Sequence, residues 1–391
     1  MRDALRFPDG FLFGASISAY QTEGGNSNTD WWWWEHIAAT PCSEPSGDAC
    51  DFYHRYREDI AMLAGFGLNC FRFGIEWARI EPAEGEFSRA ALAHYRLILD
   101  ACHEHGGFAA ENFPALFERY CARAAEALGD RIAYACTINE PQGLGSSGWL
   151  LGINPPGHTD DREGAQRAVD NLLEGHRRGA AAIRSRAGIP TGITLALPDL
   201  QYEDGAQPGS SSLELESRVS DWFFELARQD DFVGVQTYTR FRYGPEGPRS
   251  PGHDWSDSTR YLVETDETTQ MGYEYYPRAI GGAIRRAQRS CPGVPILVTE
   301  NGIATSNDEK RIAYIDTALR EVLACLAEGI DVRGYLYWSL LDNFEWALGY
   351  APTFGLVAVD RQNFTRHPRP SASWLGTVAR ARALSGVAES V

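Results

Sequence analysis

The sequence predicts an α/β fold of the (β/α)8 barrel type, and three observations predict it. Short apolar runs alternate with longer amphipathic segments over one domain length, the pattern of a parallel sheet with crossover helices. The runs are apolar throughout, as strands covered on both faces must be. Several of them end in a polar or aromatic residue (Arg72, Asn139 with Glu140, Tyr238, Glu300, Trp338), and barrel active sites are built at the carboxyl ends of strands. A doubly wound open sheet shares the alternation, but no G-x-G-x-x-G turn follows the first run.

In chain order, strands are expected at 11–16 (FLFGAS), 69–75 (NCFRFGI), 133–139 (AYACTIN), 191–197 (TGITLAL), 231–238 (DFVGVQTY), 296–301 (ILVTEN) and 332–340 (VRGYLYWSL). Helices are expected at 53–65, 88–105, 114–128, 164–187, 213–228, 277–290 and 309–328, where apolar residues recur at helical spacing. No linker, low-complexity tract or short repeat divides the chain, so 1–391 reads as a single domain.

Composition narrows the function. The chain is 43% hydrophobic and 12% aromatic, with 11 Trp, enough for a large core. Its net charge is −17 and it has no basic run, which argues against a nucleic-acid partner. The N-terminus shows no cleavage-site pattern and no run is long enough to span a bilayer, so no membrane association and a cytoplasmic location are expected. The eight Cys are scattered, without C-x-x-C pairs or Cys/His clusters at metal spacing. Free thiols and no metal or organic cofactor are expected; Cys42 and Cys50 are close enough in sequence for a loop disulfide.

Two strand ends carry carboxylates. PILVTENGI (295–303) runs from an apolar strand straight into Glu300, and TINEP (137–141) ends in Glu140. Burying an unpaired carboxylate is expensive, so each must reach water or a site. Two such groups facing each other across a barrel mouth suit glycoside cleavage: one protonates the leaving oxygen, the other attacks or activates water.

Five motifs in order extend this. FPDGFLFGASISAYQTEGG (7–25), TINEP, VTENG (298–302), YWSLLDNFEWALGY (337–350) and FGLVAVD (354–360) resemble those of glycoside hydrolase family 1, the β-glucosidase-type retaining glycosidases, over nearly the whole chain. The resemblance implies a retaining β-glycosidase with Glu140 as general acid/base and Glu300 as nucleophile. It further implies that Asn139 bonds the sugar 2-hydroxyl and that Gln21 binds hydroxyls at the far side of the ring. Glu345 and Trp346 would grip the outer hydroxyls, Trp338 would be the stacking platform, and Arg72 and Tyr238 would touch the nucleophile. Arg72, a permanent cation, would favour the ionised form of Glu300. Glu345 would repel a 6-phosphate, and the chain's one Lys, Lys310, lies far from that loop in sequence. A neutral β-D-glycoside is therefore the expected substrate.

One departure from the family pattern stands out. CHEHGG (102–107) passes almost directly into FAAENFPALFERY (108–120). About 20 residues that would carry the third strand, with its sugar-binding His, are absent, so the third strand is expected to be missing or replaced. His103 and His105 would lie at a helix end on the wrong side of the barrel. The segment 106–112 is expected to be the weakest part of the barrel wall. The alternative to an active glycosidase is a catalytically impaired sugar-binding pseudo-enzyme.

Overall fold

The computed structural model describes residues 5–38, 40–83, 86–91, 93–94, 113–206, 212–249, 264–265 and 267–384. All seven expected strands are present: β1 (Leu12–Ser16), β2 (Cys70–Arg72), β3 (Ala135–Asn139), β4 (Thr191–Ala196), β5 (Phe232–Gln236), β6 (Ile296–Asn301) and β7 (Val332–Trp338). They form one sheet in the order β2-β1-β7-β6-β5-β4-β3, with every neighbouring pair parallel. Residues of all seven strands line one central cavity, so the sheet is curled as in a (β/α)8 barrel.

Among the described residues, no strand pairs with the outer edge of β2 or β3. These are the two strands that flank the expected gap. The segment 106–112 lies outside the described residues, as does most of the expected helix 88–105, of which 89–91 and 93–94 are helical. Burial follows the pairing. Every residue of β6 is buried, whereas β2 is half-buried along its length and β3 buries only Ile138.

The main helices are α1 (Asp30–His36), α2 (Phe52–Phe66), α3 (Phe113–Leu128), α4 (Arg162–Ala187), α5 (Ser212–Ala227), α6 (Ala279–Ser290), α7 (Asp308–Ala327) and α8 (Pro370–Ala381). Local chemistry fixes their ends. The Asp161 carboxylate accepts from the Gly164 N–H at 2.8 Å and starts α4, and Gly188 at φ +65° ends it. The Asn307 side chain accepts from the N–H groups of Glu309 and Lys310 and starts α7. Between strands and helices lies one continuous apolar core, including Phe13, Ile193, Val233, Val298, Ile315 and Leu319.

Some features lie beyond the expected elements. Asp199–Tyr202, Arg240–Gly244 and Gly247–Pro248 make a separate three-stranded sheet. Near the C-terminus, Arg366 forms a bidentate pair with Asp59 on α2, at 2.8 and 2.7 Å, with both side chains buried. Cys42 and Cys50 are not joined; the Cys50 thiol instead donates to the Asp342 carbonyl.

Amide hydrogen exchange tests the unequal walls. The amides of β6, paired on both sides, should exchange slowest, and those of β2 and β3 measurably faster. Equal protection across the three strands would contradict the outer position of β2 and β3.

Candidate active site

β6 is a buried apolar run that delivers a carboxylate to the barrel mouth. Glu300 is 5% exposed, and both of its oxygens are engaged. Oε1 accepts from the Arg72 guanidinium and Oε2 from the Tyr238 hydroxyl, each at 2.5 Å. Arg72 ends β2 and Tyr238 follows β5, so the carboxylate is held from both sides of the curled sheet. Burial and the negative charge of Glu300 push the Tyr238 hydroxyl well above its ordinary value. Tyr238 therefore stays protonated and donates.

The two residues after Glu300 set its position. Asn301 is buried; its amide N–H2 donates to the Thr237 carbonyl at 2.6 Å, and its oxygen accepts from Tyr335 at 2.8 Å. A Cβ on Gly302 would sit 2.0 Å from the Trp338 carbonyl oxygen, so only glycine fits there.

Glu140 follows β3. Its N–H donates to the Thr194 carbonyl at 2.9 Å, and its backbone is left-handed at φ +48°. That conformation costs a non-glycine residue about 1–3 kcal/mol and clusters at functional sites. It turns the chain from β3 into the short helix Pro141–Gly145. Beside it, the Asn139 side-chain oxygen accepts from Arg72, from Thr194 Oγ1 at 3.1 Å and from Gln236 Nε2 at 2.9 Å. With that oxygen occupied, Asn139 offers a ligand its N–H donors.

The remaining residues come from the end of β7 and from the segments that follow β1 and β7. Gln21 is 2% exposed; its Nε2 donates to the Phe344 carbonyl at 2.8 Å and to Glu345 Oε2 at 3.4 Å. Trp346 is stacked on Tyr20 with ring centres 5.9 Å apart and lies 4.6 Å from Trp31 on α1. Trp338 ends β7 and is 5% exposed. Burial, followed by the charge of Glu300, pushes the Glu345 carboxyl from its ordinary 4.5 up to about 8, against the opposing hydrogen bond from Gln21.

All nine residues singled out from sequence (Gln21, Arg72, Asn139, Glu140, Tyr238, Glu300, Trp338, Glu345 and Trp346) line the same cavity of about 1950 Å³. Sequence reasoning missed Gln236 and Thr194, which hold Asn139, and Tyr20, which stacks on Trp346. Gln236 had a usable signal, being another polar residue at the end of an apolar run. Among the described residues no cluster of His, Cys, Asp and Glu could hold a metal.

This geometry agrees with what the chain resembles. It matches the sequence model of glycosyl hydrolase family 1 in three stretches, residues 4–106, 100–226 and 212–384. The first interruption falls at the gap expected from sequence; the second was not anticipated. Thermostable β-glucosidase B of Thermobispora bispora is 31% identical, over 97% of this chain and 92% of that protein. That alignment runs over 447 positions, more than the 391 residues of this chain, so the relative carries segments this chain lacks. Among solved structures, β-glycosidase BGL167 is 39% identical with a TM-score of 0.83, covering 98% of this chain and all of that one. The β-glucosidase from Thermotoga maritima in complex with deoxynojirimycin is 26% identical with a TM-score of 0.83, covering 97% of this chain and all of that one.

Glu345 gives a pH test. Between about 4.5 and about 8 the folded chain holds a proton that the unfolded chain releases. Its contribution to stability is therefore fully present below about pH 4.5 and is lost as pH rises through about 8. Relative to the native chain, Glu345→Gln should gain Tm steadily between about pH 5 and about pH 8 in calorimetry. A difference that does not change with pH would show that Glu345 is not held protonated.

Proposed function

The chain belongs to glycosyl hydrolase family 1, and from that premise we propose that it is a retaining β-glucosidase of neutral β-D-glycosides. Glu300 attacks the anomeric carbon while Glu140 gives its proton to the glycosidic oxygen. The bond to the aglycone breaks, and the aglycone leaves as an alcohol. The sugar remains as an ester on Glu300. Glu140, now a carboxylate, takes a proton from water as the water oxygen attacks the same carbon. The ester bond breaks, and the sugar leaves with its configuration retained. The two carboxyl groups and water balance the reaction, so it needs no metal or organic cofactor.

Glu300 carries this reading: it is buried, and both of its oxygens are held, by Arg72 and Tyr238. The guanidinium supplies a compensating charge, and the two donors fix the attacking group in place. Esterification removes the charge of Glu300. The negative field at Glu140 falls, which makes it readier to lose its proton in the first step and restores its basicity as the ester breaks. Asn139 donates to the 2-hydroxyl, Gln21, Glu345 and Trp346 take the outer hydroxyls, and Trp338 stacks beneath the ring. Their convergence with both carboxylates in one cavity supports turnover rather than binding alone. Lys310 supports a neutral substrate: its ammonium donates to the carbonyls of Thr265 and Thr268 and pairs with Glu264.

Two variants test the roles. Glu300→Gln should abolish turnover of all β-glucosides. Glu140→Gln should lose about 10²–10⁴-fold on alkyl glucosides, the usual value of general acid catalysis, while sparing glycosyl transfer from dinitrophenyl glucoside. Equal losses in both variants on good and poor leaving groups would sink the assignment. So would inversion at the anomeric carbon, seen by NMR.

A further inference from the structure

Glu140 follows a strand whose pairing is weak. Among the described residues no strand pairs with the outer edge of β3. Its ladder to β4 shifts register just before the acid: Cys136 faces Gly192 and Asn139 faces Thr194, so Thr137 and Ile138 share Ile193 as a partner. A bulge of this kind leaves a residue unpaired and bends the strand. A side-chain tie takes over at that point. The Thr137 hydroxyl lies 2.7 Å from Nδ1 of His176 on α4, and His176 Nε2 lies 3.1 Å from Asp230 Oδ2. The side chains of His176 and Asp230 are each 2% exposed.

Both ends of the tie are fixed. Arg184, further along α4, donates to Asp230 at 2.8 Å and to Asp231 at 2.9 Å. The Asp231 carboxylate accepts from the Thr191 N–H that opens β4, at 2.9 Å. A Cβ on Gly175 would lie 2.7 Å from the Phe113 ring, and one on Gly179 2.7 Å from the Phe117 ring, so α4 packs close on α3 at the level of His176.

We propose that His176 is a positioning residue for Glu140, acting through Thr137. This rests on the glycosidase reading, in which Glu140 is the acid/base. Three observations carry it. The tie meets β3 where the ladder shifts, three residues before Glu140. The Glu140 backbone is left-handed at φ +48°, a conformation that its surroundings must impose. Asp230 sets the direction of the bond: in the neutral ring the nitrogen beside a carboxylate keeps its hydrogen, so Nδ1 accepts and the Thr137 hydroxyl donates. The Gly192 carbonyl, 3.4 Å from the same hydroxyl, is the poorer acceptor. Asn139 has three other partners to hold it, in Arg72, Thr194 and Gln236, so loosening Thr137 tells mainly at Glu140. A displaced acid loses proton transfer before it loses sugar binding.

The test compares leaving groups on one sugar. kcat/KM, which reports the first bond-breaking step, is measured on methyl and dinitrophenyl β-D-glucosides. Dinitrophenolate leaves without a proton, whereas methanol needs one. Thr137→Val, which keeps the shape and removes the hydroxyl, and His176→Ala should each lose about tenfold on methyl glucoside and no more than about twofold on dinitrophenyl glucoside. Thr137→Ser, and His176→Asn with its oxygen near the place of Nδ1, should stay within about threefold of the native chain. The double variant Thr137→Val with His176→Ala should lose no more than either single one, because both break the same bond. Equal loss on both substrates would overturn the proposal by making the tie merely structural. So would no loss, or losses that add in the double variant. Hydrogen exchange, read by mass spectrometry, separates this from the glycosidase reading. Thr137→Val and His176→Ala should speed exchange in peptides covering 137–142 and leave β6 unchanged. If the native chain cleaves neither glucoside but this local effect is seen, the positioning of Glu140 stands and the glycosidase reading fails. If it cleaves both while exchange around Glu140 is untouched in both variants, the glycosidase reading stands and the positioning fails.

Discussion

The site depends on placing a carboxylate at the end of a buried strand and giving both of its oxygens a partner. Glu300 sits at the end of a strand buried along its whole length, where a carboxylate without partners would be expensive. Arg72 and Tyr238 supply those partners, and their positions dictate much else. Arg72 must come from β2 and Tyr238 from beyond β5, so strands on both sides of β6 must stay in register with it. The backbone helps: β6 is paired to β5 and to β7, and the Ser16 hydroxyl of β1 donates to the Thr299 carbonyl at 2.7 Å. The charged group thus stands on the best-held part of the sheet, with its counter-charge on one of the least buried strands.

That asymmetry makes Arg72 more than a counter-ion. It reaches the Asn139 oxygen on β3, the other outer strand, and this oxygen also accepts from Thr194 on β4 and Gln236 on β5. Side chains therefore continue the ring at the catalytic end where the described residues show no backbone ladder. Each link is a hydrogen bond in a low-dielectric setting, and a chain of them strengthens its members. One consequence is chemical. With its acceptor occupied by three donors, Asn139 presents its N–H2 group to the cavity.

Sequence made the strands and the residues that share the cavity legible because each rests on a local signal. A parallel strand covered on both faces reads as a continuous apolar run, and all seven were found within a few residues. Glu140 and Glu300 were visible because a carboxylate ending such a run has no ordinary reason to be there. What stayed hidden depends on contacts between distant segments. In the run Trp31 to Trp34, nothing local says that Trp34 would be buried against Gly157 while Trp33 stays exposed. The sheet of Asp199–Tyr202 with Arg240–Gly244 pairs short segments about forty residues apart, without a turn signature to announce it. The gap after His105 showed only against the family pattern, since composition is blind to an absent segment.

The charge of the cavity follows from the same electrostatics. Glu140, Glu300 and Glu345 all act on Tyr238, so three acids share one cavity. Arg72 offsets one of them, and Glu345, feeling Glu300 in a buried setting, keeps its proton up to about pH 8. A protonated Glu345 can both donate and accept a hydrogen bond. The chain's one ammonium, on Lys310, is already committed to Glu264 and to the carbonyls of Thr265 and Thr268. With Arg72 engaged by Glu300 and Asn139, no cation among the nine site residues is left to receive a phosphate. The cavity that pairs Glu300 with Arg72 thus also holds the Glu345 carboxyl neutral below about pH 8.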